Sequence, residues 1–593
     1  MHYPAKDDHA ATNSTSIELQ EFRDGNGDMT PTHILRHSEE ERKEDRVDYA
    51  HMARLGKSPQ FDRNFQFLSI TAFSVVAMGA LLTTSRSNAL WGLVDGNTGG
   101  TITMYIANFA AFTFIIVSLA EMASIRQLRS NSVLFREQCL EHIASKIGRR
   151  FDILTRAVPL GVRIRAQVAP EAIKLYCRYS VPISLPSYPR RFLGAAADRK
   201  VGWLSCLAWC CGSSSGFFLA GNLIQGVIIE LHSDYTSAPW RAYLFVFALA
   251  TIGALVNTYL SRKLPMLEGI AFVLTLAGFA SVITVLWVLG SGNRLTTSQV
   301  FHTFENDGGW PSLGLSMVAG QILMVWTLTG SDATVHMAEE TRNASLVIPK
   351  AMVCSYVVNG LMVFLMMITY CFCLTNLAQA FKSPTGYPFI AVFAHATGSP
   401  EGGAGLTCVL IVLILFSVTN YMASCSRQVF AFGRDKGLPF YSWMSKVDVG
   451  TNCPIRAVLV TYAFCILISL ISLGSSIAFN AITSLQLLAL VFTYLLTIGC
   501  LVWRRLYGEP LPRGSWSLGR FGMPVNIIAI LYSTYLTIFI AFPTEVPVTL
   551  ATFNWAPVMF GGVVVLAFAY YLIHARKVYD GPVVYVDSLS SVH

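Results

Sequence analysis

The chain has 593 residues, of which 53% are hydrophobic and only 13% are charged, and its mean hydropathy is +0.50. Soluble globular proteins carry about a quarter charged residues, so this composition excludes that class. The net charge of +8 does not indicate a nucleic-acid-binding protein, because Lys and Arg lie in short stretches between apolar runs rather than in one stripe.

The apolar residues fall into runs of about 20, which is the length of a membrane-spanning helix. An all-α integral membrane protein is therefore predicted, with residues 1–64 as a disordered cytoplasmic tail, 65–575 as the transmembrane domain and 576–593 as a second cytoplasmic tail. Twelve spans are expected near 65–86, 102–123, 202–230, 240–260, 265–290, 312–334, 350–375, 403–430, 455–474, 480–503, 522–542 and 554–575.

The distribution of basic residues predicts the orientation of these spans. Basic pairs such as Arg262/Lys263, Arg504/Arg505 and Arg576/Lys577 fall in alternate loops, and acidic residues such as Glu305 and Asp307 fall in the others. Cytoplasmic loops carry the excess of Lys and Arg, so both termini are expected in the cytoplasm. The plasma membrane is the expected location, with the vacuolar membrane as an alternative.

One stretch departs from the short-loop pattern. Residues 126–195 contain 13 Lys and Arg against 4 Asp and Glu, and they follow a span that ends in the cytoplasm. A basic segment in contact with anionic lipid head groups is one interpretation. A retained intron or a shifted reading frame in the gene model is another.

Two spans contain the small and hydroxyl residues that interrupt a membrane helix. They are Thr71–Gly79 in the first span and Thr327–Thr334 in the sixth, at corresponding places in two successive blocks of five helices. Interrupted helices at matching positions of two halves are typical of a transporter site in an inverted repeat. A path for a small solute is therefore predicted between them.

Asp332 is the most informative of these residues, because a carboxylate inside a span costs about 2.5–3.5 kcal/mol and usually faces a cavity. It could contact a cationic amine or a proton, or its oxygen could cap the helix that follows. His336, Glu339 and Glu340 follow at helical spacing and are interpreted as candidates for an inner gate or for coupling.

Other polar residues within the spans have two interpretations, a path lining or packing between helices, and packing is favoured for most of them. They are Ser213–Ser215, Asn222, Gln225, Ser417 and Asn420. Glu121 and Glu268 lie at span ends and are expected to reach the interface. No catalytic constellation, metal site or cofactor is predicted, so an enzyme is not expected.

Four motifs stand out along the chain: Arg63-Asn-Phe-Gln-Phe-Leu-Ser69 after Arg54-Leu-Gly-Lys57, Ser118-Leu-Ala-Glu-Met-Ala-Ser124, Gly330-Ser-Asp-Ala-Thr-Val-His-Met-Ala-Glu-Glu340, and Ser426-Arg-Gln-Val-Phe-Ala-Phe-Gly-Arg-Asp435. Together they resemble the fungal amino acid/choline permeases, a family of the amino acid–polyamine–organocation superfamily that includes carriers of GABA and choline. The segment that commonly follows the second span of the family is missing and is replaced by Arg126-Gln-Leu-Arg-Ser130.

The resemblance implies two inverted five-helix repeats plus two C-terminal helices, with helices 1 and 6 broken, and transport that is usually driven by protons. It places the substrate site on Thr71, Ala72, Phe73, Ser74 and Val75 of the first span and on Thr327, Gly330, Ser331 and Asp332 of the sixth. The hypothesis is a proton-coupled importer of an amino acid or related amine, such as GABA or choline. The alternative is a nutrient-sensing receptor of the same fold with little or no transport.

Overall fold

The computed structural model describes residues 61–79, 89–125, 195–232, 234–290, 294–375, 380, 382–448, 450–471, 476–507, 511, 514–543, 545–550 and 552–575. The tail before residue 61, the basic stretch 126–194 and the tail after residue 575 lie outside these residues. The last residues of the predicted N-terminal tail are described, however, and Phe61 packs its ring against Phe430 at a centroid distance of 5.3 Å.

The regular secondary structure of the described residues is helical, with no β-strand and only two isolated bridges among them, Phe65–Thr341 and Asp448–Cys453. The helices are α1 Phe67–Met78, α2 Ala89–Ile125, α3 Ala195–Leu231, α4 Pro239–Tyr259, α5 Leu264–Leu289, α6 Thr297–His302, α7 Leu313–Gly320, α8 Ile322–Leu328, α9 Ala333–His336, α10 Ala344–Cys373, α11 Pro388–Thr397, α12 Pro400–Arg434, α13 Tyr441–Met444, α14 Ile455–Ile471, α15 Ser476–Tyr507, α16 Gly522–Phe539 and α17 Ala556–Tyr570.

Nine helices in the described part of the chain are long and apolar enough to cross a bilayer, and the shorter apolar helices include α1 and α14. Every predicted span has a helix at its place, and the sixth is divided among α7, α8 and α9. The prediction of an all-helical, multi-pass membrane protein is confirmed. This agreement is expected, because a backbone in lipid must satisfy its own hydrogen bonds.

Helix α12 lies at the centre of the packing. It contacts α1, α3, α4, α5, α11 and α14, and a long run of its residues, from Ser417 to Val429, includes only buried side chains. Helix α10 packs against α1 and α2, and α15 packs against α3 and α16. The first helix is therefore held between α10 on one side and α5 and α12 on the other.

The first span is helical through most of the segment Thr71–Gly79, where the sequence predicts an interruption, and it breaks at the last residue of that segment. Residues 71–75 lie inside α1, and the helix ends only at Gly79, whose φ of +56° and ψ of +65° place it in the left-handed region. The Thr71 hydroxyl donates to the Phe67 carbonyl of its own helix at 2.7 Å. Hydroxyl residues are tolerated in a membrane helix in this way, and a glycine at the C-terminal cap ends the helix.

The sixth span is broken at the predicted place. Helix α8 ends at Leu328, Thr329 is extended, and Gly330 has a φ of +106°, a conformation that side chains other than hydrogen rarely adopt. The chain becomes helical again at Ala333 in α9, a single short turn, and continues into a 3-10 turn at Ala338–Glu340. The non-helical segment is therefore Thr329–Asp332, in the interior of the bundle.

Candidate functional site

The broken segment of the sixth span meets the end of α1 and the middle of α12. A Cβ placed on Gly330 would lie 3.1 Å from the Tyr421 hydroxyl and 3.5 Å from Cγ of Met78, so the backbone approaches both helices closely. Threonine hydroxyls donate to two backbone carbonyls beside the break. Thr329 donates to the Trp326 carbonyl at 2.7 Å, and Thr334 donates to the Ser331 carbonyl at 3.0 Å. The segment is held in place without being helical.

Asp332 lies in this segment with only 4% of its surface exposed. It is the residue before α9, yet its side chain caps no backbone N–H, so the capping interpretation is wrong. Its Oδ1 accepts no hydrogen bond from the described residues. Tyr494 of α15 is close enough for the two side chains to interact electrostatically. Asp332 is thus a buried carboxyl whose side-chain neighbour among the described residues is Tyr494.

The predicted residues of α1 are brought to the same place, although they are helical. All five are buried. The Ser74 hydroxyl donates to the Ser355 hydroxyl of α10 at 2.8 Å and lies 3.5 Å from the Ser331 carbonyl. Thr327, the first predicted residue of the sixth span, belongs to α8, and its carbonyl accepts from Asn359 at 3.1 Å. Ser74 and Ser331 therefore join the two predicted segments directly.

A second polar group, which sequence reasoning missed, lies where α1, α5 and α12 meet. Glu268 of α5 is 3% exposed, and its Oε2 accepts from Asn420 at 2.7 Å. The same Asn420 nitrogen donates to the Phe73 carbonyl of α1 at 3.2 Å, and the Ser417 hydroxyl donates to the Ala77 carbonyl at 2.7 Å. We call Glu268, Ser417 and Asn420 the Glu268 cluster.

The expectation that Glu268 reaches the interface is wrong. Glu268 lies only one turn after the start of α5, a position that favours exposure. Its side chain lies on the face of α5 that contacts α12, however, and is therefore buried. A usable signal in the sequence was the pair Ser417 and Asn420, whose spacing of three residues places both on one face of α12, and that face contacts α1 and, through Asn420, Glu268. Glu121 is also buried, and Arg505 and Ser517 both hydrogen-bond to it.

The candidate gate residues form a third group, at the end of α12. Glu340 pairs with Arg427 at 2.9 Å, and Arg434 donates to Glu339 at 3.0 Å. We call these four residues the arginine–glutamate cluster. Three of them, Glu339, Glu340 and Arg427, line a small cavity of about 30 Å³ together with His336, Phe61 and Phe430, which is room for one or two water molecules.

The chain before α1 covers this cluster. The Phe65 N–H donates to the Glu340 carbonyl at 3.0 Å, and the Arg342 N–H donates to the Phe65 carbonyl at 2.9 Å. The Arg342 Nε also donates to the Arg63 carbonyl at 3.0 Å. A strap of residues 61–66 is thus fastened across the turn that follows α9. His336 lies deeper, with its ring 4.7 Å from that of Trp209.

At the opposite end of the broken span, α2 contains a kink at Asn97 (φ +51°). Its side chain donates to Glu305 at 2.6 Å, and the Asp307 N–H donates to the Val94 carbonyl at 3.0 Å. Asp95 is fully buried beneath this loop and accepts from Ser316 of α7 at 3.1 Å. The loop before α7 is therefore fastened to the start of α2.

Most other polar residues of the spans are packing residues, as the sequence interpretation favours. Ser214 and Asn222 donate to carbonyls of their own helix, and Gln225 donates to Tyr235 and to the Ala238 carbonyl. Ser417 and Asn420 are the exceptions, since they contact α1. Among the described residues there is no group of three or more side chains placed to hold a metal ion.

The comparisons with known proteins agree with this architecture. Residues 185–565 match the model of the amino acid permease family, well over half of the chain. The chain belongs to the amino acid permease family. It is accordingly a multi-pass membrane transporter and not an enzyme.

Three individual relatives align with about two thirds of the chain. An uncharacterised amino-acid permease of Schizosaccharomyces pombe is 30% identical, with 65% of this chain and 71% of that protein covered. Amino-acid permease 2 of Neurospora crassa is 27% identical, with coverage of 64% and 70%. The choline transporter of Saccharomyces cerevisiae is 26% identical, with coverage of 62% and 67%.

Proposed function

We propose that the permease imports an amino acid or a related amine, such as GABA or choline, by alternating access and together with protons. The observation that carries this proposal is the non-helical segment Thr329–Asp332, buried between α1, α12 and α15. Unwound backbone inside a membrane protein is tolerated where it borders protein or a solute cavity. The similarity to amino-acid permeases and to a choline transporter supports the substrate class.

The proposed substrate site is formed by the end of α1 and by residues 329–332. Ser74 and Ser331 offer hydroxyl groups, and Asp332 offers a carboxyl to the amino group of the substrate. Gly330 leaves the backbone open to the substrate, because it has no Cβ, which would lie 3.1 Å from the Tyr421 hydroxyl. In this scheme the predicted residues Thr71 and Val75 are part of helix α1, which positions Ser74.

The proposed proton carrier is Glu268. It is a carboxyl buried in a span, and its recorded partner is the neutral amide of Asn420. Because Asn420 also holds the Phe73 carbonyl of α1, a change in the charge of Glu268 alters the docking of the helix that borders the substrate site. A proton on Glu268 thus favours one position of α1, and its release favours the other.

The proposed inner seal is the arginine–glutamate cluster with the strap 61–66. Two ion pairs and three hydrogen bonds close the path beyond His336. In this scheme the described conformation is closed towards the cytoplasm, and release of the substrate requires the strap to leave Glu340 and Arg342.

The test is uptake of labelled GABA, choline and several amino acids in permease-deficient yeast, at about pH 5 and about pH 7.5, which bracket the range of a perturbed carboxyl. We expect saturable uptake of one compound that is stronger at acid pH. Glu268→Gln, which fixes a neutral side chain, should remove the pH dependence and abolish accumulation above equilibrium. Glu230→Gln, a carboxyl at the end of α3, is the matched control and should retain both.

Two outcomes contradict the proposal. Saturable uptake that is equal at both pH values in the unmodified permease argues against proton coupling. Binding without uptake, by protein shown to be at the cell surface, supports the nutrient-sensing receptor instead.

A further inference from the structure

Asp332 has no cation paired with it in the described part of the bundle. The arginines of α12 that follow Tyr421 do not neutralise it, because Arg427 is paired with Glu340 and Arg434 with Glu339. The polar residues nearest in sequence, Ser331 and Thr334, are neutral. A substrate that binds here therefore meets a carboxylate with no protein cation paired to it among the described residues.

Two buried polar atoms at this place make no hydrogen bond within the described residues. They are the Ser331 hydroxyl and Oδ1 of Asp332, and their residues are at most 4% exposed. Buried polar groups are normally satisfied, so each such group needs an explanation. A bound ligand that brings positive charge to Asp332 supplies one for both.

Two aromatic side chains border the broken segment, and a third packs against one of them. Trp209 of α3 and Tyr421 of α12 have ring centroids 5.2 Å apart, and the Tyr421 hydroxyl borders Gly330. Tyr494 of α15 interacts electrostatically with both Asp332 and Tyr421. Aromatic faces attract cations through their quadrupoles, and the attraction strengthens when the cation is desolvated.

We infer that the site selects an organic ammonium ion that lacks a carboxylate, because no cation is paired with Asp332 among the described residues and two tyrosine rings, Tyr421 and Tyr494, border the same segment. This inference rests on the proposed transport function and narrows its substrate class. A zwitterion would bring its own carboxylate close to Asp332, where the described side chains offer no cation to receive it. Burying such a charge unpaired is unfavourable.

Two matched pairs of compounds test the inference directly in the unmodified permease. Choline and glycine betaine share a quaternary ammonium group but only the second has a carboxylate. Putrescine and GABA share a primary amine, and GABA has a carboxylate where putrescine has a second amine. We expect choline and putrescine to inhibit uptake of the labelled substrate at concentrations at least about tenfold lower than their partners.

Variants identify the residues responsible. Asp332→Asn should reduce this preference at least about tenfold, and Tyr494→Phe, which removes only the hydroxyl, should weaken the binding of putrescine more than that of choline. Asp234→Asn, an exposed carboxyl between α3 and α4, is the control and should leave the preference unchanged. Surface expression is measured for every variant, and the comparison in the unmodified permease does not depend on any variant folding.

Equal or stronger inhibition by glycine betaine and GABA overturns the inference. If either zwitterion is itself taken up with saturation, the transport function stands and only the assigned substrate class fails. If none of the four compounds, nor any amino acid, is taken up, the proposed function fails with it.

Discussion

At the scale of single residues, the carboxyl groups of the permease differ in what holds them. Glu339 and Glu340 are paired with arginines, Glu268 is bonded to an amide, and Asp332 Oδ1 has no partner among the described residues. The arrangement suggests different roles. A paired carboxyl fixes a closed conformation, whereas one held only by neutral groups can exchange a proton or a ligand.

The Glu340–Arg427 pair provides a prediction of stability. Arg427 is 4% exposed, so Arg427→Met leaves Glu340 charged and unpaired and should destabilise the protein by about 3–5 kcal/mol. The measurement is the thermal midpoint of the detergent-solubilised permease. Adding Glu340→Gln should recover part of the loss, and Lys350→Met, at an exposed position of α10, should change little. Equal stability of the single and double variants contradicts a pairing role.

The sequence predicted Asp332 and the gate residues by type, because a carboxylate inside an apolar run is conspicuous. Their partners could not be predicted in the same way. Arg427 lies 87 residues from Glu340 in the chain, and Asn420 lies 152 residues from Glu268. Such pairs depend on which faces of α12 meet the other helices, and the nearly uniform hydrophobicity of the spans does not reveal those faces.

At the scale of helices, the break of the sixth span depends on one backbone conformation. Gly330 has a φ of +106°, and a methyl group there would lie 3.1 Å from the Tyr421 hydroxyl. Gly330→Ala should therefore cost about 1–3 kcal/mol at the site and abolish uptake while the protein still reaches the membrane. The measurement is uptake normalised to surface protein.

The matched control lies in the same span. Gly314→Ala in α7 places a methyl group in open space and should leave uptake unchanged. Normal uptake by Gly330→Ala would show that the left-handed backbone is dispensable.

The two broken helices also show how well a residue pattern predicts where a membrane helix is interrupted. In the sixth span Gly330 and Asp332 mark the interruption correctly, because glycine and a buried acid both disfavour a continuous membrane helix. In the first span the run of small and hydroxyl residues predicted an interruption within Thr71–Gly79, but Thr71 and Ser74 satisfy their hydroxyls within α1 and against α10. The helix ends at Gly79, the last residue of the predicted segment.

At the scale of the whole molecule, the basic loops and the twelve predicted spans lead to a prediction about the termini. Epitope tags at residue 1 and at residue 593 should both be inaccessible to antibody in intact cells and accessible after permeabilisation, because an even number of spans returns the chain to its starting side. A single tag exposed on intact cells would require an odd number of spans. A tag between α3 and α4 serves as the outward-facing control.

The unpaired Asp332 has a bioenergetic consequence. With Asp332 ionised, the empty site carries one negative charge, and the site loaded with a monovalent cation carries none. The membrane potential then acts on the return of the empty carrier rather than on the loaded one, with about 2.3 kcal/mol per charge for each 100 mV crossed. A negative cell interior favours the outward-facing position of the empty, negatively charged site. The membrane potential is therefore expected to change the turnover rate of the permease more than its affinity for the substrate.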